Sequence, residues 1–450
     1  ILYSLFYEMD LSIEAVFVSS VNLGKACIQV YDVETGSCLK SYRGDSVSPN
    51  TLCMIGSDEY IICGQKDKPL LQAWKLNENE TLQMRLSVPG KVNVLAVSQA
   101  EDKYCAVGIK EKIYFYHFTT GHQFGIISGH YQDITCLKFT SCGNYLASGG
   151  EDGFVYLWSR FHVIEPLHRF ENPQIQPHFV LGQHSDKVTG IDISGPGIRG
   201  ILISSSLDHS CKVFDLVTGH LRYNIVSECA LTSCVVNSIG SQVFVGGKQG
   251  KVWGVNLLPH SSVQTIQVEG KGAACHESSL HYLVLSPSGN SLITGSVNGE
   301  AKVWSVTLSH KKNIFSNPSL ALQSTLLTGR GAITNLITRQ INSKVLSAST
   351  IECKTILSPF LITPNPSSVL KSRQMIYLNN KKEENINIQE LYCLATDMFY
   401  KKIGTEKVTP TTKKQEKAEI EEENVTELLA STEKLKKSNE QLYKFCLNIF

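Results

Sequence analysis

The chain repeats a pattern of short apolar stretches, each closed by an aromatic residue and followed by a polar segment. Within each stretch β-branched residues predominate, which is typical of β-strands and not of amphipathic helices. The intervals between the closing aromatics are 43, 42, 42, 56, 39 and 51 residues. The seven aromatics are Tyr31, Trp74, Tyr116, Trp158, Phe214, Trp253 and Trp304. Because a period of about 40 to 45 residues is typical of a four-stranded propeller blade, the pattern predicts an all-β, seven-bladed β-propeller.

Three repeats also contain a histidine, a hydroxyl residue, an acid or amide in a turn and an aromatic, in that order. We expect the turn residue to orient the histidine, the histidine to contact the hydroxyl, and the hydroxyl to contact the indole NH, so that each buried polar group is satisfied. Two sets are incomplete, because one has a phenylalanine for the indole and one an amide for the acid. The remaining four blades are expected to be held mainly by packing. The three sets are His130, Ser148, Asp152 and Trp158; His184, Ser204, Asp208 and Phe214; and His276, Thr294, Asn298 and Trp304.

Ring closure requires a strand from one end of the chain to complete a blade begun at the other, because an open ring would leave unpaired strand edges. Residues 332–338 and 344–347 are left over after the seventh aromatic, and we expect them to lie beside the first repeat at residues 15–19. The two longest intervals predict insertions between Ser159 and Gly182 and between Leu257 and Ala274.

The sequence predicts four regions. Residues 1–8 are expected to be a non-native extension without structure, and residues 9–349 form the WD-repeat propeller. From about residue 350 prolines, serines and mixed charges indicate a linker over residues 350–386. Helical periodicity returns over residues 387–450, and residues 414–450 have the pattern of a coiled coil.

The coiled-coil prediction rests on residues that recur every seven positions. An asparagine at an inner position favours a parallel two-stranded register, so the pattern predicts a homodimer. Two alternatives remain: an amphipathic helix that packs back on the protein, and a solvated charged tail. The inner positions are Val425, Leu428, Thr432, Leu435, Asn439, Leu442, Cys446 and Ile449.

Composition excludes several classes of function. Hydrophobic residues make up 42% of the chain and charged residues 18%, which indicates a large buried core. The 42 basic and 41 acidic residues leave a formal charge of +1, so no global field attracts nucleic acid or an acidic membrane. The 14 cysteines are scattered without a CxxC pair, so we expect reduced thiols and no zinc site. No apolar stretch is long enough to predict a membrane span.

Motifs for enzymatic chemistry are also missing from the sequence. It contains no GxxxxGK[ST], HExxH or GxSxG. The segment Gly195–Gly200 matches GxGxxG, but a strand pattern follows it where a dinucleotide site requires a helix. We therefore expect no catalytic residue, no cofactor and no metal. Direct RNA contact would rest on basic pairs such as Lys311 with Lys312, Lys381 with Lys382, Lys401 with Lys402, and Lys413 with Lys414.

The order and spacing of the histidine sets resemble WD repeats, and three segments are more specific. They are SCLKSYRG at 37–44, SGHYQDITCLKFT at 128–140 and SSSLDHSCKVFDLVTG at 204–219. These segments resemble the family of WD-repeat subunits in the animal complex that matures the large ribosomal subunit, which is similar to the third subunit of the fungal Rix complex. The resemblance runs from about residue 9 into the tail and weakens between residues 305 and 386.

That resemblance implies a non-catalytic scaffold that acts in pre-rRNA processing and ribosome biogenesis in the nucleus, nucleolus and nucleoplasm, with a cytoplasmic pool as an open alternative. It implies a PELP-type scaffold, a HEAT-repeat subunit, a midasin-type ATPase and the pre-ribosomal particle as partners, and pairing of two copies through the C-terminal helices. The residues alone leave another interpretation open, a WD-repeat adaptor that serves as a ubiquitin-ligase substrate receptor or a trafficking scaffold.

Overall fold

A computed structural model describes fourteen ranges and single positions of the chain. They are residues 12–21, 26–55, 60–77, 82, 84–98, 104–160, 163, 175–195, 197–257, 263–268, 272–307, 319–327, 331–342 and 360. Contacts divide the chain into two units, Ile1–Met375 and Ile376–Phe450, and every described residue belongs to the first. The predicted extension at 1–8 and the predicted helical tail at 387–450 lie outside the described residues.

The described residues form twenty-nine strands and one 3-10 turn, Gly197–Arg199. The strands are β1 (Ser12–Ser20), β2 (Ala26–Asp32), β3 (Cys38–Arg43), β4 (Cys53–Ile55), β5 (Tyr60–Gly64), β6 (Leu70–Lys75), β7 (Met84–Ser87), β8 (Val94–Val97), β9 (Tyr104–Ile109), β10 (Lys112–His117), β11 (Gln123–Ser128), β12 (Ile134–Phe139), β13 (Tyr145–Gly150), β14 (Phe154–Ser159), β15 (Phe179–Gln183), β16 (Val188–Ser194), β17 (Ile201–Ser206), β18 (Ser210–Asp215), β19 (Leu221–Ser227), β20 (Leu231–Val236), β21 (Gln242–Gly247), β22 (Lys251–Asn256), β23 (Gln264–Val268), β24 (Ala273–Ala274), β25 (Leu280–Leu285), β26 (Ser291–Ser296), β27 (Glu300–Thr307), β28 (Ser319–Leu327) and β29 (Ile333–Asn342).

These strands make seven sheets, and the prediction of seven blades is confirmed. Blade 1 has the order β29-β1-β2-β3; blades 2, 3 and 4 contain β4–β7, β8–β11 and β12–β15; blade 5 contains β16–β19 with β23; blade 6 contains β20–β22 with β24; and blade 7 contains β25–β28. The inner strands contact one another in the order β4, β8, β12, β16, β20, β25 and β29, and a hydrogen bond from Asn50 N to Thr334 O joins β29 to the start of blade 2, which arranges the seven sheets around a central channel.

The ring closes as the sequence predicts for residues 332–338, whereas the second predicted segment, residues 344–347, lies outside the described residues. Strand β29, from the C-terminal side of the propeller, pairs antiparallel with β1 from Ser12↔Asn342 to Ser19↔Asn335. It takes the innermost position of blade 1, next to the channel. Both edges of the ring are thereby joined, which removes the open sheet edge that a linear array of blades would leave.

The predicted insertion between Leu257 and Ala274 contributes strands to two different blades. Strand β23 pairs in parallel with β19, from Tyr223↔Gln264 to Ser227↔Val268, and becomes a fifth strand of blade 5. Strand β24 then pairs with β22 at only two positions as the outer strand of blade 6. The sequence pattern did not predict this exchange, because both strands are too short to show a periodicity.

The core lies between neighbouring blades, where side chains of facing sheets interdigitate. Trp74 and Trp158 are fully buried there, as are Tyr116 and Phe214, which occupy the same position in their own blades. Truncating a buried aromatic of this size usually costs about 3 to 5 kcal/mol. The aromatic period in the sequence therefore records the main packing element of each blade.

One residue of the predicted linker also packs on the propeller. Phe360 is 3% exposed and stacks on Tyr116, with ring centroids 4.3 Å apart and planes 2° from parallel. It joins the apolar cluster shared by blades 2 and 3. Contacts with the propeller therefore extend beyond the expected boundary at residue 349.

Candidate functional site

The blade 4 residues His130, Ser148, Asp152 and Trp158 form one hydrogen-bonded chain. The indole Nε1 of Trp158 donates to Ser148 Oγ at 2.8 Å, and Ser148 Oγ lies 2.7 Å from His130 Nε2. The carboxylate of Asp152 can only accept, so His130 Nδ1–H donates to it, with both carboxylate oxygens 3.1 Å away, and Ser148 Oγ accepts the indole NH while it contacts Nε2. The chain ties the loop before β12 to the turn between β13 and β14.

The carboxylate of Asp152 also shapes its own turn. Its oxygens accept the backbone NH of Tyr131 at 2.9 Å and of Phe154 at 3.1 Å. Burial acts to raise the pKa of this carboxyl, but the hydrogen bonds from His130 and from the two backbone NH groups outweigh it and lower the pKa below its usual value. Gly153 completes the turn with φ +77°, and a Cβ there would lie 2.4 Å from the backbone oxygen of His184 in the next loop.

Blade 5 contains the same chain without its indole. His184 Nε2 lies 2.8 Å from Ser204 Oγ, and Nδ1 lies 3.0 Å from Asp208 Oδ2. Ser210 joins this set, because its hydroxyl donates to Asp208 Oδ1 at 2.6 Å. Phe214 fills the position of the indole and is 1% exposed. Burial lowers the pKa of His184 despite the nearby carboxylate, so this histidine is neutral at physiological pH.

Blade 7 contains only half of the expected chain. Trp304 Nε1 donates to Thr294 Oγ1 at 2.9 Å, and Thr294 Oγ1 lies 2.7 Å from His276 Nε2. The expectation that Asn298 orients His276 is wrong, because the buried Nδ1 of His276 has no hydrogen-bond partner. A neutral amide lacks the charge that holds the imidazole in the other two blades. The nearest carboxylate oxygen, Glu300 Oε2, is 3.8 Å away.

Blade 2 has a polar set that the sequence analysis did not find. Gln65 and Gln72 are buried, and their amide Nε2 atoms donate to Asp45 Oδ2 at 2.9 and 3.2 Å. Trp74 Nε1 donates to the backbone oxygen of Arg43 at 2.9 Å. This blade was expected to be held mainly by packing. Its aspartate lies in the loop before the blade and not in the turn, so the spacing used for the other sets could not detect it.

A second unforeseen residue, Asn335 on β29, joins blade 1 to blade 2. Its Oδ1 accepts the backbone NH groups of Thr51 at 2.8 Å and Leu52 at 3.1 Å. Its Nδ2 donates to Ser19 Oγ at 2.9 Å and to the backbone oxygen of Ser48 at 2.8 Å. The side chain is buried with all four hydrogen bonds made. It lies where the two ends of the ring meet.

Inner-strand threonines link further pairs of blades. Thr135 Oγ1 donates to the backbone oxygen of Val188 at 2.6 Å, and Thr189 Oγ1 donates to that of Leu231 at 2.9 Å. On the closing strand, Thr338 Oγ1 donates to the backbone oxygen of Leu285 at 2.8 Å. These bonds hold neighbouring inner strands at a fixed spacing around the channel.

The channel opens, on the face that carries the histidine turns, into a cavity of about 640 Å³ lined by residues of all seven blades. Charged groups at its rim are paired: Asn93 Nδ2 donates to Asp133 at 3.0 Å, and Lys187 Nζ lies 3.6 Å from Glu151. Among the described residues, no group of three or more His, Cys, Asp or Glu side chains could hold a metal ion. The mouth presents hydroxyls, amides and paired charges, which suit non-covalent docking.

The predicted pairing residues lie outside the described part of the chain. They are Val425, Leu428, Thr432, Leu435, Asn439, Leu442, Cys446 and Ile449. Their pairing in a coiled coil therefore stays a prediction from the sequence. Across the described ranges, no helix is long and apolar enough to cross a lipid bilayer.

We expect Asp152→Ala to lower the free energy of unfolding by about 1 to 3 kcal/mol, because it leaves buried His130 Nδ1 and two backbone NH groups without their acceptor. Urea denaturation monitored by tryptophan fluorescence would measure the change. The matched control is Asp186→Ala, an exposed aspartate in the next loop of the same face. Equal stability of the two variants would contradict a structural role for the polar chain.

Comparison with known proteins agrees with this geometry. The family model "WD domain, G-beta repeat" matches residues 121–159, 175–215 and 271–305, the three segments that contain the histidine sets. WD repeat-containing protein 18 of Rattus norvegicus is 30% identical over 284 residues, which cover 62% of this chain and 64% of that protein. Pre-rRNA-processing protein pro-1 of Caenorhabditis briggsae is 21% identical over 308 residues, covering 66% of this chain and 57% of that protein.

The chain thus spans less than two thirds of the length of these relatives. Among solved structures, a chain of the "Crystal Structure of Mitotic Checkpoint Complex" superposes with a TM-score of 0.51 and 19% identity, over 65% of this chain and 84% of that chain. At that identity the likeness concerns the fold alone. The fold and the comparisons together identify the chain as a seven-bladed WD-repeat propeller that is similar to WD repeat-containing protein 18.

Proposed function

We propose that the protein is a non-catalytic scaffold subunit of a nuclear complex that processes pre-rRNA and matures the large ribosomal subunit. The observation that carries this proposal is the similarity to WD repeat-containing protein 18 over 284 residues and to Pre-rRNA-processing protein pro-1 over 308 residues. The second relative is named for pre-rRNA processing, which supports this part of the proposal.

The geometry supports a scaffold role in two ways. The ring is closed by β29 and braced by Asn335 and the inner-strand threonines, so its turns are held at fixed relative positions. Loops on a rigid framework make suitable docking surfaces, because little conformational entropy is lost when a partner binds. The polar channel mouth adds a concave surface of defined chemistry.

The partners we propose follow from the family resemblance. They are a PELP-type scaffold, a HEAT-repeat subunit and a midasin-type ATPase, met on pre-ribosomal particles in the nucleolus and nucleoplasm. Affinity purification of the full chain from its own cells, followed by mass spectrometry, tests this set. We expect enrichment of large-subunit precursors and of these partner classes. A parallel purification with the Asp152→Ala variant as bait is the control that shows whether this enrichment depends on an intact propeller. Purification without pre-ribosomal proteins would reject the proposal.

The same purification separates the second candidate function, a WD-repeat adaptor that serves as a ubiquitin-ligase substrate receptor or a trafficking scaffold. The WD-repeat fold alone is as compatible with this role as with the ribosomal one, because propellers serve in many different assemblies. Enrichment of cullin-adaptor or coat subunits in place of ribosomal precursors would support it.

We further propose that residues 414–450 pair two copies of the chain. Deleting them is expected to halve the mass measured by light scattering, because the inner positions from Val425 to Ile449 would no longer form a seam. The matched variant Asn439→Leu keeps the segment but removes the amide that selects two strands, and we expect it to broaden the mass distribution towards larger oligomers. A deletion variant with unchanged mass would contradict dimerisation through this segment.

A further inference from the structure

Three aliphatic side chains are exposed at blades 5 and 6, on the face opposite the histidine turns. Ile239, in the first turn of blade 6, is 84% exposed, and Val217, in the last turn of blade 5, is 52% exposed. Val263 is 60% exposed and directly precedes Gln264, which pairs with Tyr223 of blade 5. We call Val217, Ile239 and Val263, with the cavity described below, the blade 5–6 surface.

Hydrogen bonds fix the two turns that present these side chains. Asn237 Oδ1 accepts the backbone NH of Ser241 at 2.8 Å, and its Nδ2 donates to Ser241 Oγ at 2.9 Å. Asp215 Oδ1 accepts the backbone NH of Val217 at 3.0 Å. These hydrogen bonds hold Val217 and Ile239 in contact with solvent. A partner that covered the two side chains would gain the hydrophobic free energy of burying them.

A cavity of about 180 Å³ lies beside Ile239, at the junction of the two blades. Its walls are mainly aliphatic and aromatic, and Arg222 is their one charged member. The cavity is of a size for one large apolar side chain of a partner. The lining residues are Ile201, Val213, Arg222, Tyr223, Ile239, Gly240, Ser241 and Leu257.

Charge at this surface is biased towards the positive. Arg199 is exposed in the first turn of blade 5, and Arg222 is half-exposed while pairing with Asp215. Among the described residues of these turns, Asp215 is the one acidic side chain, and its carboxylate already accepts a hydrogen bond from Arg222. Arg199 stands two residues before Ile201, which lines the cavity, and arginine is a preferred carboxylate partner at interfaces.

From this combination we propose that the blade 5–6 surface docks a partner protein through a short segment in which a large apolar side chain stands next to carboxylates. The apolar side chain enters the cavity beside Ile239, and the carboxylates pair with Arg199 and the exposed part of Arg222. Val217 and Val263 cover the flanks of the bound segment. This deepens the proposed scaffold role by naming a docking surface, but its test is independent of which complex the protein serves.

The test measures fluorescence anisotropy of labelled synthetic peptides with the purified full chain. One peptide has a central Leu-Phe pair flanked by glutamates, a second has lysines for the glutamates, and a third has serines for Leu and Phe. The first is expected to bind about tenfold more tightly than either of the others. Equal binding of the first and second peptides, or no binding of the first, would overturn the proposal.

Variants of the chain assign the binding to this surface. Ile239→Ser and Arg199→Glu change exposed side chains and should leave folding intact, but each is expected to weaken the first peptide by about tenfold. Leu322→Ser is the control, because Leu322 is 52% exposed on blade 7, outside the surface. Unchanged affinity in Ile239→Ser, or an equal loss in Leu322→Ser, would also overturn the proposal. If these peptide experiments fail while the affinity purification enriches pre-ribosomal proteins, the docking surface is rejected and the proposed scaffold role stands.

Discussion

Replacing Asn335 by alanine is expected to lower the free energy of unfolding by about 3 to 5 kcal/mol. The substitution removes four hydrogen bonds at once and leaves the buried NH groups of Thr51 and Leu52 without an acceptor. Each buried, unsatisfied donor costs about 1 to 3 kcal/mol. The loss falls where blade 1 meets blade 2, so the ring junction itself is weakened. Urea denaturation of the full chain measures the effect.

The matched control is Asn237→Ala. Asn237 makes three side-chain hydrogen bonds, to Ser241 and Gln242, where Asn335 makes four, but it lies half-buried in a turn within blade 6 and joins no two blades. Water can replace its partners, so we expect a cost of about 1 kcal/mol or less. Similar losses in the two variants would contradict a special role for Asn335 in closing the ring.

Acid is expected to destabilise the propeller between about pH 6.5 and pH 4, largely through His276. Burial, aided by the nearby Lys302 ammonium, lowers the pKa of His276 from 6.5 to about 4. The unfolded chain therefore binds a proton in this range that the folded chain does not, so stability falls as the pH falls. At pH 5 the contribution of His276 is a loss of about 1 to 2 kcal/mol relative to pH 7.5. Urea denaturation at the two pH values measures it.

Two variants distinguish this cause from general acid denaturation. His276→Gln removes the titrating group, so the stability difference between pH 7.5 and pH 5 should shrink. Asn298→Asp supplies the carboxylate that Asp152 and Asp208 supply in blades 4 and 5, which should raise the pKa of His276 and stabilise the chain by about 1 kcal/mol at pH 7.5. A pH dependence identical in all three proteins would show that His276 is not the group responsible.

The sequence predicts those structural elements that recur at a fixed position in each repeat. Seven buried aromatics give the number of blades, because each closes the third strand of its sheet, where packing against the neighbouring blade requires a large ring. In blade 4 the spacing also gives the hydrogen bonds between His130, Ser148, Asp152 and Trp158. The closing strand could be foreseen because a ring has no free end.

Contacts that occur once could not be predicted in this way. Asn335 is one polar residue in an apolar strand, and only the meeting of the two chain ends gives its four hydrogen bonds their partners. Strand β23 contributes to blade 5 although it follows β22 of blade 6, and no local pattern indicates which neighbouring edge it will choose. The prediction for Asn298 was wrong for a different reason. Its position matches the repeat, but its uncharged amide does not form a hydrogen bond with Nδ1 of His276.

The position of β29 has a consequence during protein synthesis. Strands β1 to β3 leave the ribosome before the other strands of the propeller, but the innermost strand of their sheet lies more than 300 residues later in the chain, as Ser12 pairs with Asn342. Until then the nascent first blade exposes the inner edge of β1, on a strand whose residues from Ala15 to Ser20 are buried in the finished ring. Such an edge is a target for chaperones and for misassembly between polysomal neighbours, so slowed elongation ahead of residue 333 should reduce the yield of soluble protein.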